Sequence, residues 1–66
     1  MDNRDAKAVR SFLIEAAEGL AAAMGLLLDC EEGEVPPSHV LGACERTQES
    51  LWRAMERLKR VADEAA

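Results

Sequence analysis

Cys30, His39 and Cys44 are the residues whose types could hold a metal, since thiolate and imidazole are the usual zinc ligands. Their spacing matches no zinc pattern, and there is no C-x-x-C pair. In a helical hairpin Cys44 falls more than a turn below Cys30. That offset also excludes an intrachain disulfide, which needs Cα atoms within about 7 Å. Both thiols are therefore expected to be free. The run Asp29, Glu31, Glu32, Glu34 could attract a cation, but it lacks the alternating ligands and terminal Glu of a calcium loop and reads as a solvated turn. Glu15 and Glu18 are a carboxylate pair with no cleft in prospect. No nucleophile, base and metal converge, so the chain is read as a non-enzyme with no catalytic residue, cofactor or metal.

The elements that carry these residues are helical. Phe12 to Leu28 reads FLIEAAEGLAAAMGLLL, with Glu15 and Glu18 its only strongly polar residues. At about 100° per residue, Val9, Leu13, Ala16, Leu20, Ala23, Leu27 and Cys30 form one stripe. Arg4, Ser11, Glu15, Glu18, Ala22, Gly25 and Asp29 lie opposite. Phe12 and Leu26 widen the stripe on one side, and Ile14, Ala17, Ala21, Met24 and Leu28 on the other. The apolar arc exceeds the roughly 100° that one partner helix covers. Asp2, Asn3 or Asp5 is suited to cap this helix. Gly19 and Gly25 each cost roughly 1 kcal/mol relative to Ala, for close approach or by simple tolerance.

After it, Gly33 is placed to stop the helix and Pro36-Pro37 to bar helical geometry before them. Ser38 is suited to the cap of a second helix, with Pro37 at its first position as the other reading. In that helix Val40, Cys44, Thr47, Leu51, Ala54, Leu58, Val61 and Ala65 form the stripe, with Leu41, Met55 and Ala62 beside it. Arg46, Glu49, Arg53, Glu56, Arg57, Arg60 and Glu64 face outward. Glu49–Arg53, Glu56–Arg60 and Lys59–Asp63 have the favourable order for pairs four apart. A short connection makes the helices antiparallel. The loop then sets a register pairing Leu27 with Val40, Ala23 with Cys44, Leu20 with Thr47, Ala16 with Leu51, Leu13 with Ala54 and Val9 with Leu58.

The expected architecture is all-α: one domain over residues 1–66, with helix one at about 5–30, a loop at about 31–38 and helix two at about 39–64. This hairpin leaves Phe12, Ile14, Met24, Leu26, Leu28, Leu41, Trp52 and Met55 as interface residues. Dimerisation into a four-helix bundle is the simplest way to cover them, because a 66-residue chain is marginal with one small core. Trp52, the single tryptophan, is read as an interface anchor.

The formal net charge of −5 resides in residues 1–34, which hold three basic and eight acidic side chains. An acidic chain is a poor candidate for nucleic acid or an anionic membrane. The cations of helix two (Arg46, Arg53, Arg57, Lys59, Arg60) are interleaved with carboxylates and lack stacking aromatics. The apolar run is read as too short and too charged to span a membrane, and the charged MDNRDAK start does not suit a secretory leader. With two cysteines these features lead to a cytoplasmic expectation.

In length and layout the chain is similar to two kinds of small bacterial protein. One is the Rop type, a hairpin that dimerises into a four-helix bundle and binds RNA. The other is the hairpin chaperones of type III secretion, which hold an aggregation-prone partner. The resemblance is one of length and topology. The expected function is a small non-catalytic protein–protein interaction module, acting as a homodimer and as adaptor, chaperone or inhibitor of a protein partner. The alternative is a Rop-like dimeric regulator binding nucleic acid.

Overall fold

The computed structural model describes residues 1–65 and contains two helices and no strand among them. They are α1, Asn3–Leu28, and α2, Ser38–Ala65. Packed side by side, they form an antiparallel hairpin measuring 51 × 16 × 13 Å.

Local chemistry sets the helix ends. Asp2 is the cap of α1: its Oδ1 accepts from the Asp5 amide at 2.9 Å, and its carbonyl accepts from the Ala6 amide. The helix stops at Leu28, and the right-handed Asp29 closes it by donating its amide to the Gly25 carbonyl. Gly33 therefore does not stop the helix. It occupies the third position of a turn in which the Glu34 amide donates to the Glu31 carbonyl. There its φ of +86°, alone positive among the described residues, is the conformation a type II turn requires. In α2, Ser38 is the first helical residue, and the Val40 amide donates to the Pro37 carbonyl.

The seam between the helices differs from the expected one. Its least exposed positions are Asp5, Ala6, Ala8, Val9, Phe12, Ala16, Gly19, Ala23 and Leu26 on α1, with Cys30 just beyond its end. On α2 they are Val40, Gly42, Ala43, Thr47, Ser50, Ala54, Arg57 and Val61. Apart from the small flanking residues Ala6, Ala8 and Gly42, both series alternate steps of three and four, the pattern of two helices meeting along a continuous line. Half of the expected stripe is retained. Leu13, Leu20 and Leu27, expected inside, are exposed, as are Cys44, Leu51 and Leu58. Glycine, alanines and a serine stand in their place. Gly19 lies against Thr47 and Ala43, Glu15 against Ser50, and Asp5 against Arg57 and Arg60. The pairing of Leu20 with Thr47 is thus replaced by Gly19 with Thr47. Both helices are rotated relative to expectation.

The physical reason is proximity. A Cβ on Gly19 would overlap Thr47 Oγ1 and stand 3.4 Å from the Ala43 carbonyl oxygen, so the backbones meet where side chains are smallest. The Thr47 hydroxyl is held in place by donating to the Ala43 carbonyl at 2.9 Å. Gly25, away from the seam, would have nothing within 4 Å of an added methyl and is merely tolerated. The resulting core is thin: Val9, Ala16, Ala23, Ala43 and Ala54 are its buried apolar residues.

Candidate functional site

Close packing on small residues sends the large ones to one side. An antiparallel pair is related by a two-fold axis normal to the plane of the hairpin, so equivalent positions on the two helices face the same way. The residues that follow the inner positions Phe12, Gly19 and Leu26 are Leu13, Leu20 and Leu27. Those that follow Ala43, Ser50 and Arg57 are Cys44, Leu51 and Leu58. All six fall on one broad face, and Ala17, Met24, Leu41 and Met55 continue it outward. Leu20, Met24, Met55 and Leu41 are each more than half exposed. We call this the leucine face. A soluble monomer rarely shows a contiguous apolar surface of this extent.

The opposite face is polar. Glu15, Glu18 and Ala22 of α1 share an open groove with Arg46, Glu49 and Arg53 of α2. Across it the Ser50 hydroxyl donates to Glu15 Oε2 at 3.4 Å, a long and therefore weak bond. Glu15 belongs to the edge of the seam, not to the far side where helical periodicity puts it. Arg53 pairs with Glu49 at 2.6 Å, as expected for residues four apart. Glu56 takes Lys59 as its partner at 3.5 Å. Arg60 turns to Asp5 at 3.5 Å and to Glu64 at 4.0 Å.

The eight expected interface residues divide among three places. Met24, Leu41 and Met55 lie on the leucine face. Phe12 and Leu26 are half-buried in the seam. Ile14, Leu28 and Trp52 lie at the outer margin of the face, and all three are exposed. Trp52, 59% exposed, borders a second groove lined by Phe12, Arg53, Glu56, Arg57 and Arg60. It stands at the junction of apolar and charged surface rather than at the centre of either.

Asp5, suited by its position to a helix cap, is instead an inter-helix clamp. Arg57 Nη1 donates to its Oδ1 at 2.8 Å, and this bond, with the charges of Arg57 and Arg60, holds the Asp5 carboxyl below the ordinary aspartate range. The signal for it in the sequence is an acid near the start of α1 and a basic pair near the end of α2, which any antiparallel hairpin brings together.

Cys30 and Cys44 are both free thiols. Cys30 donates to the Leu26 carbonyl at 3.6 Å, and partial burial together with the negative charge of Glu34 and Asp29 raises its pKa. Cys44, expected in the core, lies exposed on the leucine face. Among the described residues no three His, Cys, Asp or Glu side chains gather as a metal site would require.

α1 has the length and composition of a bilayer-crossing helix, contrary to the reading that it is too short and too charged. Its 26 residues extend about 39 Å at 1.5 Å each, more than the roughly 30 Å of a hydrocarbon core. A helix at the centre of a bundle has the same properties. No protein-family model matches the chain, and comparison with curated proteins and with solved structures gives no significant match.

Proposed function

We propose that this chain is a small non-catalytic protein–protein interaction module that acts as a homodimer, two hairpins packing through their leucine faces into a four-helix bundle. The observation that carries this reading is the exposure of large apolar side chains along one face, where Leu20, Met24, Leu27, Leu41 and Met55 are each more than half exposed on a chain whose total surface is also large. The accessible surface is 5195 Å². A folded monomer of 7.2 kDa is expected to show about 4,100 Å². The excess, roughly 1,100 Å², is comparable to the ~800 Å² that each partner loses in a standard interface. The dimensions support the same reading. The radius of gyration is 15.4 Å. A compact chain of this length would have about 11 Å, and one of twice the length about 14 Å.

The dimer would leave the charged face and the acidic loop as surfaces for a further protein partner. A dimeric nucleic-acid-binding regulator is the alternative, and the groove beside Phe12 and Trp52 is its best support. Its cations are largely engaged, Arg53 by Glu49, Lys59 by Glu56, and Arg57 and Arg60 by Asp5. A bilayer reading would place Glu15, near the middle of α1, at the hydrocarbon midplane, where a carboxylate costs about 2.5–3.5 kcal/mol even on the lenient scale.

The test is solution mass by light scattering across a concentration series, for the native chain and Leu20→Glu. The expected result is two chains for the native protein and association weakened by about 2 kcal/mol or more, roughly thirtyfold in Kd, for the variant. A native monomer at all concentrations, or a dimer indifferent to Leu20→Glu, refutes the leucine face as the self-association surface. Flotation with lipid vesicles checks the bilayer reading, and steeply salt-dependent binding of an RNA duplex would favour the alternative.

A further inference from the structure

Charge is distributed unevenly along the hairpin. Residues 20–46, which form the loop end, carry five carboxylates (Asp29, Glu31, Glu32, Glu34, Glu45) and one arginine, Arg46. Residues 1–10 and 56–65, which form the open end, carry six cations and five carboxylates. The net charge thus runs from −4 at one end to +1 at the other. At the open end, on the margin of the leucine face, the helical positions that continue Ile14 and Ala17 are Lys7 and Arg10, while Lys59, which continues Trp52, is paired with Glu56 at 3.5 Å. At the loop end the same margin holds Glu45 and leads into the acidic turn.

We infer that the partner seated on the leucine face is a second copy of this chain in the head-to-tail sense, with the two loops at opposite ends of the bundle. This inference rests on the homodimer proposed above and specifies its topology. Loops at the same end would place eight loop carboxylates of two chains side by side at one end of the bundle, where their like charges repel. Loops at opposite ends set the net-positive open end of each copy, with Lys7 and Arg10, against Glu45 and the loop acids of the other. The apolar faces match equally well either way, because leucines recur along the whole length. Charge therefore selects the orientation, as complementary surfaces select register in other interfaces.

The experiment is a distance measurement between two spin labels in the dimer. A single label is placed at Glu34→Cys in a background of Cys30→Ser and Cys44→Ser, and pulsed dipolar spectroscopy is recorded alongside the solution mass. Head-to-tail packing predicts a loop-to-loop separation near the 51 Å length of the hairpin. Loops at one end predict about 25 Å or less, from helix spacings of 8–10 Å. A two-chain mass with the short distance overturns the topology and leaves the homodimer standing. A one-chain mass overturns the homodimer itself. As a second reading, Lys7→Glu and Arg10→Glu together, on the native cysteines, are expected to weaken association about tenfold or more at low salt. Unchanged association would remove charge as the selector.

Discussion

At the residue scale, the hairpin depends on what Gly19 lacks. A methyl there meets Thr47 Oγ1, whose rotamer is held by its bond to the Ala43 carbonyl. Gly19→Ala should therefore destabilise the fold by about 1–3 kcal/mol, the usual range for overpacking, despite its better helix propensity. Gly25→Ala, with open space around it, should stabilise by about 0.5–1 kcal/mol. Thr47→Ala introduced with Gly19→Ala should recover most of the loss, a coupling that denaturant unfolding of the four variants measures. Asp5 gives a pH signature. Its carboxyl is held below its ordinary pKa in the folded chain, so its contribution is present above the unfolded-state value. That contribution is lost as pH falls through the folded-state value. Asp5→Asn should be less stable than the native chain at neutral pH, and the two should converge in strong acid.

At the element scale, the two helices differ in what they supply. α2 is amphipathic and carries charge pairs on its outer side. α1 offers apolar side chains around well over half its circumference, more than α2 alone can cover. The turn between them contributes through Gly33. An L side chain at its φ of +86° is strained by about 1–2 kcal/mol, so Gly33→Ala should lower stability by that amount without changing helicity. The thiols report on the two sides of α2 and α1. Cys44 is exposed in the hairpin, whereas Cys30 is half-buried with a raised pKa. In the dilute monomer Cys44 should alkylate faster than Cys30. Where two chains associate through the leucine face, Cys44 should become protected, and labelling rates followed against protein concentration check this.

At the scale of the whole molecule, a seam of alanine, glycine and serine gives the hairpin little apolar burial of its own. No large side chain among the described residues is fully buried. Folding and association are then expected to be one process, with a melting temperature that rises with protein concentration by mass action. A concentration-independent melting temperature would count against the coupling. Trp52→Ala should weaken the proposed dimer less than Leu20→Ala, since Trp52 borders the charged groove and Leu20 lies within the face.

Much of this is legible in the residues. Helical periodicity, the Pro-Pro loop and the absence of strand-forming patterns determine an all-α hairpin, because they act locally. The excess apolar arc of α1 is also a local property, and it foretells a surface that two helices cannot bury. The seam is not legible. Val9, Ala16, Ala23 and Cys30 belong equally to a stripe completed by Leu13, Leu20 and Leu27 and to one completed by Phe12, Gly19 and Leu26. Both have the same period, and pattern alone favours the more hydrophobic one. Tertiary packing decided for the smaller side chains, because close backbone approach needs them between the helices. That choice turned the leucines outward to one common face and brought Asp5 and Arg57 into the seam itself.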